Sequence, residues 1–266
     1  MKGRVLVGVD GSGPSEAATT WAAERAARLG LDLTLLHAVD GGKDGLVGGE
    51  SVPRFSLEHA VTSSRRIPGV GAVKGLSVEG DPMAELIAAS GDASIVVVGS
   101  HKTGFLRGRV FGSRSLRLVA TASCPVAVIP EPSGRARHGV TVGVDGSEAG
   151  RRAVVFAAKE AVALGEDLTL IRGDEPLLPL GADVEVATGA DRLLAAARDA
   201  VTGVAPEVRV LLRSVELSAA EALADASPTS ILLVLAASTG GGATLGSTAH
   251  DVLMNLAGPT VFVPGG

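Results

Sequence analysis

The part of this sequence best suited to bind an anion lies between Gly99 and Arg117. It contains no acidic residue and five cations: Lys102, Arg107, Arg109, Arg114 and Arg117. Its glycines allow the backbone to approach a ligand closely, and free N–H groups at the start of a helix attract negative charge. We expect such a helix to begin at Gly112-Ser113. The pattern favours an anion-binding loop, and a loop whose charges are only solvated is the alternative.

Other chemistries find little support. The sequence contains neither a Gly-x4-Gly-Lys-Ser/Thr phosphate loop nor a Gly-x-Ser-x-Gly nucleophile elbow. The five histidines are scattered without metal-ligand spacing. The single cysteine, Cys124, excludes an intramolecular disulfide and a cysteine-based zinc site. We therefore expect neither catalytic residues nor a metal site, and we interpret His37, at a strand end, as structural.

The chain repeats itself at a spacing of 135 residues, the distance from Asp10 to Asp145. The run Val-Gly-Val-Asp-Gly-Ser at 7–12 recurs at 142–147, and Asp-Leu-Thr-Leu at 32–35 recurs at 167–170. Near the end of each half, Gly-Ser at 112–113 recurs at 246–247. A repeat this long indicates a duplicated domain. We assign domains to 1–131 and 138–266, joined by the polar linker 131–137.

Each half alternates apolar runs typical of strands with segments typical of helices. In the first half we predict strands at 4–10, 31–39, 70–78, 95–98 and 126–129, and helices at 15–29, 55–67, 81–89 and 112–122. This order predicts an α/β fold of two tandem doubly wound domains, each a five-stranded, mostly parallel sheet flanked by helices. Such sheets bind ligands at the carboxyl ends of their strands. The residues after Val9, His37 and Val98 are therefore of interest.

Composition limits the partners. Hydrophobic residues make up 46% of the 266 residues and charged residues 20%, which is enough apolar material for a sizeable core. The formal net charge of −5 provides no basic field for nucleic acid or for anionic lipid. No apolar run approaches the roughly 18 residues of a membrane helix, and the first residues lack the features of a signal peptide. We expect a soluble cytoplasmic protein that binds neither nucleic acid nor membrane.

The duplicated start, the Val-Val-Val-Gly-Ser strand end at 96–100 and the Cys-Pro-Val-Ala-Val-Ile-Pro run at 124–130 together resemble the universal stress protein family in its tandem form. The resemblance covers essentially both halves. It implies a Rossmann-like fold, similar to the adenine nucleotide alpha hydrolases, and a cytoplasmic, commonly dimeric protein. The nucleotide-binding branch of the family carries Gly-x2-Gly-x9-Gly-Ser/Thr after its fourth strand. ATP, with or without Mg²⁺, is the ligand that this resemblance implies.

That motif maps onto the first half with one departure. Gly99 and Gly112 have the family spacing of 13 residues, but Lys102 stands where the family has its second glycine. Lys102 either contacts phosphate or obstructs it, and the sequence leaves both alternatives open. His101 either neighbours the phosphates or is a solvated loop residue. The resemblance further implies that Asp10 lies near the adenosine and Ala38 beside the adenine, with Val9 and Val98 flanking the pocket. It also implies that Ser113, Arg114 and Ser115 present the helix start to the phosphates.

The second half fits the motif less well. Aligning 95–98 with 231–234 places Leu235 at the position of Gly99, and the loop that follows carries no cation. Asp145 is retained, although Asp10 and Asp145 have a structural interpretation too, because each precedes Gly-Ser at a strand-to-helix turn. We therefore expect one ATP per chain, bound by the first half.

These observations support two hypotheses of different classes. In the first, a stress-response protein binds ATP or a related adenine nucleotide in its first domain as a regulatory or stabilising ligand. In the alternative, a nucleotide-independent scaffold recruits protein partners under stress. An ATPase or phosphotransferase has the least support. By analogy with single-domain relatives we expect the two halves to form an intramolecular pseudo-dimer, and we expect further homodimerisation.

Overall fold

The computed structural model describes residues 3–39, 56–100, 113–174, 185–237 and 245–265, with the backbone alone for 113–114 and 185–190. The chain folds as two compact units, Met1–Pro132 (unit 1) and Ser133–Gly266 (unit 2). Both are built from alternating strands and helices, so the predicted α/β class is confirmed.

Unit 1 is a five-stranded parallel sheet with helices on both faces. Its strands are β1 (Arg4–Gly8), β2 (Asp32–Val39), β3 (Val73–Glu79), β4 (Ile95–Gly99) and β5 (Val126–Ile129). Its helices are α1 (Gly13–Leu29), α2 (Leu57–Arg65), α3 (Pro82–Ser90) and α4 (Ser113–Thr121). The strand order is β3-β2-β1-β4-β5. Helices α1 and α2 pack against each other on one face, and α3 and α4 on the other. The order reverses between β1 and β4, where ligand sites of such sheets form.

Unit 2 repeats this plan. Its strands are β6 (Val140–Gly143), β7 (Leu168–Gly173), β8 (Val210–Val215), β9 (Leu232–Ala237) and β10 (Thr260–Pro264). Its helices are α5 (Glu148–Leu164), α6 (Glu185–Val204), α7 (Ala219–Ala226) and α8 (Ser247–Met254). The strands are parallel in the order β8-β7-β6-β9-β10.

Apolar runs become the central strands because both of their faces are covered. In β4, Ile95, Val96 and Val97 are fully buried, as the uninterrupted β-branched run predicts. The first helix ends where the sequence indicates, with Gly30 at φ +62°, a conformation that glycine adopts without steric cost. The strong local signals therefore set the elements that carry the cleft.

The predicted end of the first strand is wrong by two residues. The strand was expected to run to Asp10, but β1 stops at Gly8. The N–H of Asp10 donates to the Ser15 hydroxyl (3.1 Å) instead of entering the sheet. The chain thus leaves the sheet early, and this bend opens the space at the strand ends.

The pairing of the strands also corrects the alignment of the two halves. Val5 of β1 lies opposite Ile95, whereas its counterpart Val140 of β6 lies opposite Leu232. The residue equivalent to Gly99 is therefore Ala236, and the expected equivalence with Leu235 is wrong by one. An apolar run has no internal marker of register, so only the pairing partner reveals it.

Candidate ligand-binding cleft

A cleft of about 750 Å³ opens in unit 1 at the carboxyl ends of β1, β2 and β4, beside the first turn of α4. Six of the predicted site residues line it: Val9, Asp10, Ala38, Val98, Gly99 and Ser115. Ser113 and Arg114 lie in the first turn of α4. The remaining predicted residues, His101, Lys102 and Gly112, lie outside the described residues. The topology thus brings together side chains from four separate segments of the chain.

Six further lining residues were not identified from the sequence: Gly8, Ser15, Leu36, Pro82, Met83 and Leu86. Three of them, Pro82, Met83 and Leu86, line the cleft because α3 packs against β1 and β2, which is a tertiary arrangement. A Cβ at Gly8 would lie only 2.9 Å from Cδ1 of Leu86, so a side chain at Gly8 would crowd Leu86 on the cleft wall. The Asp81-Pro82 start of α3 was the one available signal, and it marked a helix start without indicating which strands that start would face.

The Asp10 carboxylate stabilises the turn that follows β1. Its Oδ1 accepts hydrogen bonds from the N–H of Ser12 (3.0 Å) and from the Ser12 hydroxyl (2.6 Å). Gly11 between them has φ +80°, which disfavours any residue with a side chain. Asp10 is nevertheless exposed at the cleft. The structural interpretation of this residue therefore has direct support, and a role toward a ligand is compatible with it.

Gly99 is required by packing at the start of α1. A Cβ on Gly99 would lie 2.5 Å from the carbonyl oxygen of Pro14, which is far inside van der Waals contact. The sequence suggested that this glycine admits phosphate, whereas the structure shows that it admits the backbone of Pro14. The first glycine of the motif thus has a folding role that does not depend on any ligand.

His37 ties the ends of β1 and β2 together. Its Nδ1 lies 2.8 Å from the carbonyl oxygen of Val9, and a carbonyl can only accept, so Nδ1 carries the proton. This contact agrees with the structural interpretation of His37, and it fixes Val9 at the cleft wall.

One of the five cations between Gly99 and Arg117 is engaged elsewhere. Arg117 of α4 lies 3.5 Å from the carboxylate of Asp81, and both side chains are more than half exposed. The same Asp81 oxygen accepts from the N–H of Ala84 (2.8 Å) and so caps α3. Arg117 of α4 therefore pairs with the residue that begins α3.

Unit 2 contains a cleft of about 690 Å³ at the equivalent place. Its turn repeats the first one, because Asp145 Oδ1 accepts from the N–H (2.9 Å) and the hydroxyl (2.8 Å) of Ser147, and Gly146 has φ +78°. The loop is shorter, with 10 residues from Ala236 to Gly246 against 13 from Gly99 to Gly112. The second cleft is thus preserved in shape while its loop has changed.

The helices that begin at the two clefts differ in charge. In α8, Thr248 and Asp251 stand at the positions of Arg114 and Arg117 in α4. Gly246 caps α8 without a side-chain hydrogen bond. At these two positions α8 therefore has two fewer cations and one more acid than α4.

Other groups contribute little chemistry. In the described ranges no three His, Cys, Asp or Glu side chains are grouped to hold a metal ion. Cys124 is buried, and burial raises its pKa to about 11, so the thiol is neutral at physiological pH. Across those same ranges no helix combines the length and the apolar character needed to cross a membrane.

The sheet order and the two clefts define a tandem α/β protein with a cleft at the switch point of each doubly wound unit. The model of the Universal stress protein family matches residues 1–130 and again 137–264. The chain therefore belongs to the universal stress protein family and has its tandem two-domain form.

Relatives and solved structures agree with this assignment. A universal stress protein of Mycolicibacterium smegmatis is 30% identical over 97% of this chain and 96% of its own length. One of Mycobacterium tuberculosis is 34% identical over 190 residues, and this match spans 63% of this chain and only 62% of that relative. The crystal structure of a universal stress protein from Archaeoglobus fulgidus superposes with a TM-score of 0.69 at 17% identity, covering 99% of this chain and 98% of that one. The last similarity supports the fold alone.

Proposed function

We propose that this stress-family protein binds ATP or a related adenine nucleotide in unit 1 as a regulatory or stabilising ligand. The observation that carries the proposal is the convergence of six residues, singled out by family resemblance, on one cleft at the switch point.

The chemistry of the cleft walls suits the parts of a nucleotide. Val9, Ala38 and Val98 offer apolar surface to the adenine ring. The exposed carboxylate of Asp10 can accept hydrogen bonds from ribose hydroxyls. The start of α4 beside Ser115 offers free N–H groups to the phosphates, and Mg²⁺ would accompany the triphosphate.

We propose binding without hydrolysis. Among the described lining residues, Asp10 is the one ionisable side chain, and its Oδ1 already accepts two hydrogen bonds from Ser12. A carboxylate held in this way is a poor general base, so regulation by occupancy is the function that the cleft supports best.

Calorimetric titration with ATP tests the proposal with a matched pair of variants. We expect one ATP per chain, and we expect Gly112→Val to cost about 2–4 kcal/mol of binding, because charge-assisted hydrogen bonds at the start of α4 are lost. Gly246→Val, at the equivalent position in unit 2, should leave the affinity nearly unchanged. A stoichiometry of two, or equal effects of the two variants, would contradict the assignment to unit 1.

The role of Lys102 can be decided in the same titration. Lys102→Gly restores the glycine of the family motif. Weaker ATP binding by this variant would show that the ammonium contacts phosphate, and stronger binding would show that Lys102 obstructs the site.

The alternative, a nucleotide-independent scaffold, has one specific observation in its favour. Asp10 in unit 1 and Asp145 in unit 2 make the same turn-forming hydrogen bonds to a serine, so the presence of this carboxylate does not require a ligand. Chromatography of the supernatant after heat denaturation separates the two functions. Copurified adenine nucleotide supports the first, and its absence together with no heat of ATP binding supports the scaffold.

A further inference from the structure

The cleft of unit 2 keeps the half that would hold a nucleoside. Val144, Asp145 and Leu235 line it at the positions that Val9, Asp10 and Val98 occupy in unit 1. The hydroxyls of Ser247 and Thr248 add polar groups at its rim. The apolar walls and the carboxylate are thus retained in both clefts.

The half that would hold phosphate has lost its charge. No lysine or arginine follows Arg213 in the sequence, whereas four acids do: Glu216, Glu221, Asp225 and Asp251. On α5, whose start follows the Asp145 turn, Arg151 and Arg152 lie 2.9 and 3.7 Å from the carboxylate of Glu148. The described residues that line this cleft include one acid, Asp145, and no lysine or arginine, so a triphosphate would find no cation on these walls.

Helix α7, which contributes Ala219, Ala222 and Leu223 to the cleft wall, begins with an acidic capping box. Ser218 and Glu221 form a capping box, in which the Ser218 hydroxyl donates to the Glu221 carboxylate at 2.7 Å. These hydrogen bonds hold the pKa of Glu221 below its ordinary value. The carboxylate is therefore ionised at neutral pH and adds negative charge to the helix that contributes Ala219 and Ala222 to the cleft wall.

We propose that the cleft of unit 2 binds an uncharged purine nucleoside and rejects its phosphorylated forms. The ligand class rests on the proposed nucleotide role of unit 1, because the retained walls correspond to those assigned there to adenine and ribose. A neutral nucleoside satisfies the apolar walls and the Asp145 carboxylate, and it needs no cation. The two domains would then bind the phosphorylated and the unphosphorylated forms of the same nucleoside, one form in each domain.

Two mouth positions allow each cleft to be closed separately. Ala219 is the first residue of α7, is exposed, and lines the cleft of unit 2. Met83 in the first turn of α3 is half-buried and lines the cleft of unit 1. We expect a tryptophan at either position to narrow the mouth of its own cleft.

Equilibrium dialysis of the full chain with labelled adenosine and labelled ATP provides the test. In the Met83→Trp background, adenosine retention reports unit 2, and adding Ala219→Trp should weaken it at least tenfold. ATP should not displace this adenosine. In the Ala219→Trp single variant, ATP retention should match that of the wild type. Ala219→Phe provides a second, smaller obstruction, and circular dichroism confirms the fold of each variant.

The two proposals fail in distinguishable ways. If Met83→Trp retains no adenosine, if adding Ala219→Trp does not change its retention, or if ATP competes at equal affinity, the nucleoside assignment is overturned. If the Ala219→Trp variant retains no ATP, the proposed function of unit 1 is overturned while the adenosine result stands on its own.

Discussion

Replacing Gly99 by alanine should destabilise unit 1 because the new methyl group has no room. The Cβ would lie 2.5 Å from the carbonyl oxygen of Pro14, about 0.7 Å or more inside ordinary contact. Both partners are backbone: Gly99 ends a central strand and Pro14 lies in the first turn of α1. The contact therefore cannot be relieved by a change of rotamer, and α1 or β4 must move.

The expected cost follows from this rigidity. Overpacking of well-packed interiors costs about 1–3 kcal/mol, and a clash between backbone elements belongs in the upper part of that range. We expect Gly99→Ala to lower the free energy of unfolding of unit 1 by about 2–3 kcal/mol. The opposite change at the equivalent position, Ala236→Gly, affects unit 2 and should leave unit 1 unchanged.

The single tryptophan makes this measurement specific to unit 1. Trp21 lies on α1, so its fluorescence reports the unfolding of the unit that contains Gly99. Urea titrations of the wild type, Gly99→Ala and Ala236→Gly should show a lower midpoint for Gly99→Ala alone. A Gly99→Ala midpoint equal to that of the wild type would refute the packing argument, and the glycine would then need an explanation through its ligand.

Two further predictions concern stability. Because burial raises the pKa of Cys124 to about 11 from 9.0, the unfolded thiol ionises first as pH rises. The free energy of unfolding should thus be unaffected by this thiol below pH 9 and should fall by about 2 kcal/mol toward pH 11. Urea titrations at several pH values across this range should show a flatter pH dependence of the unfolding free energy for Cys124→Ala. Asp81→Ala should cost about 1 kcal/mol, because α3 loses its N-cap. Asp81→Asn should cost less, because its amide oxygen still caps α3. Both costs can be measured by urea titration with Trp21 fluorescence, and equal costs for the two variants would contradict the capping role.

The fold was predictable because its signals are local. The β-branched run at 95–98 specifies a buried strand, and Asp81 with Pro82 specifies a helix start, whichever part of the chain lies nearby. The end of β1 was not predictable in this way. It depends on whether the N–H of Asp10 donates to a neighbouring strand or to the hydroxyl of Ser15. Which of these acceptors lies within reach is decided by the tertiary structure.

The candidate site was predictable to the extent that it follows strand ends. Val9, Ala38 and Val98 lie where parallel strands stop, and the topology rule brings such residues to one edge. Met83 and Leu86 belong to α3, which reaches the same edge from the face of the sheet that α4 also covers. Their place depends on the packing of α3 across β1 and β2, which no spacing along the chain encodes.

Comparison of the two units separates folding from recognition. The Asp-Gly-Ser turn is retained in both, and in both its carboxylate bonds the serine two residues on, so its retention is explained by folding alone. The segment between the fourth strand and the fourth helix of each unit has diverged in length and in charge, although both clefts remain open. Selection for the fold alone would not explain why this part of the sequence holds five cations at 99–117 and none at 236–251. We therefore expect any difference in ligand preference between the two units to depend on that segment and on the replacement of Arg114 by Thr248. The Asp-Gly-Ser turn, which is the same in both units, cannot account for such a difference.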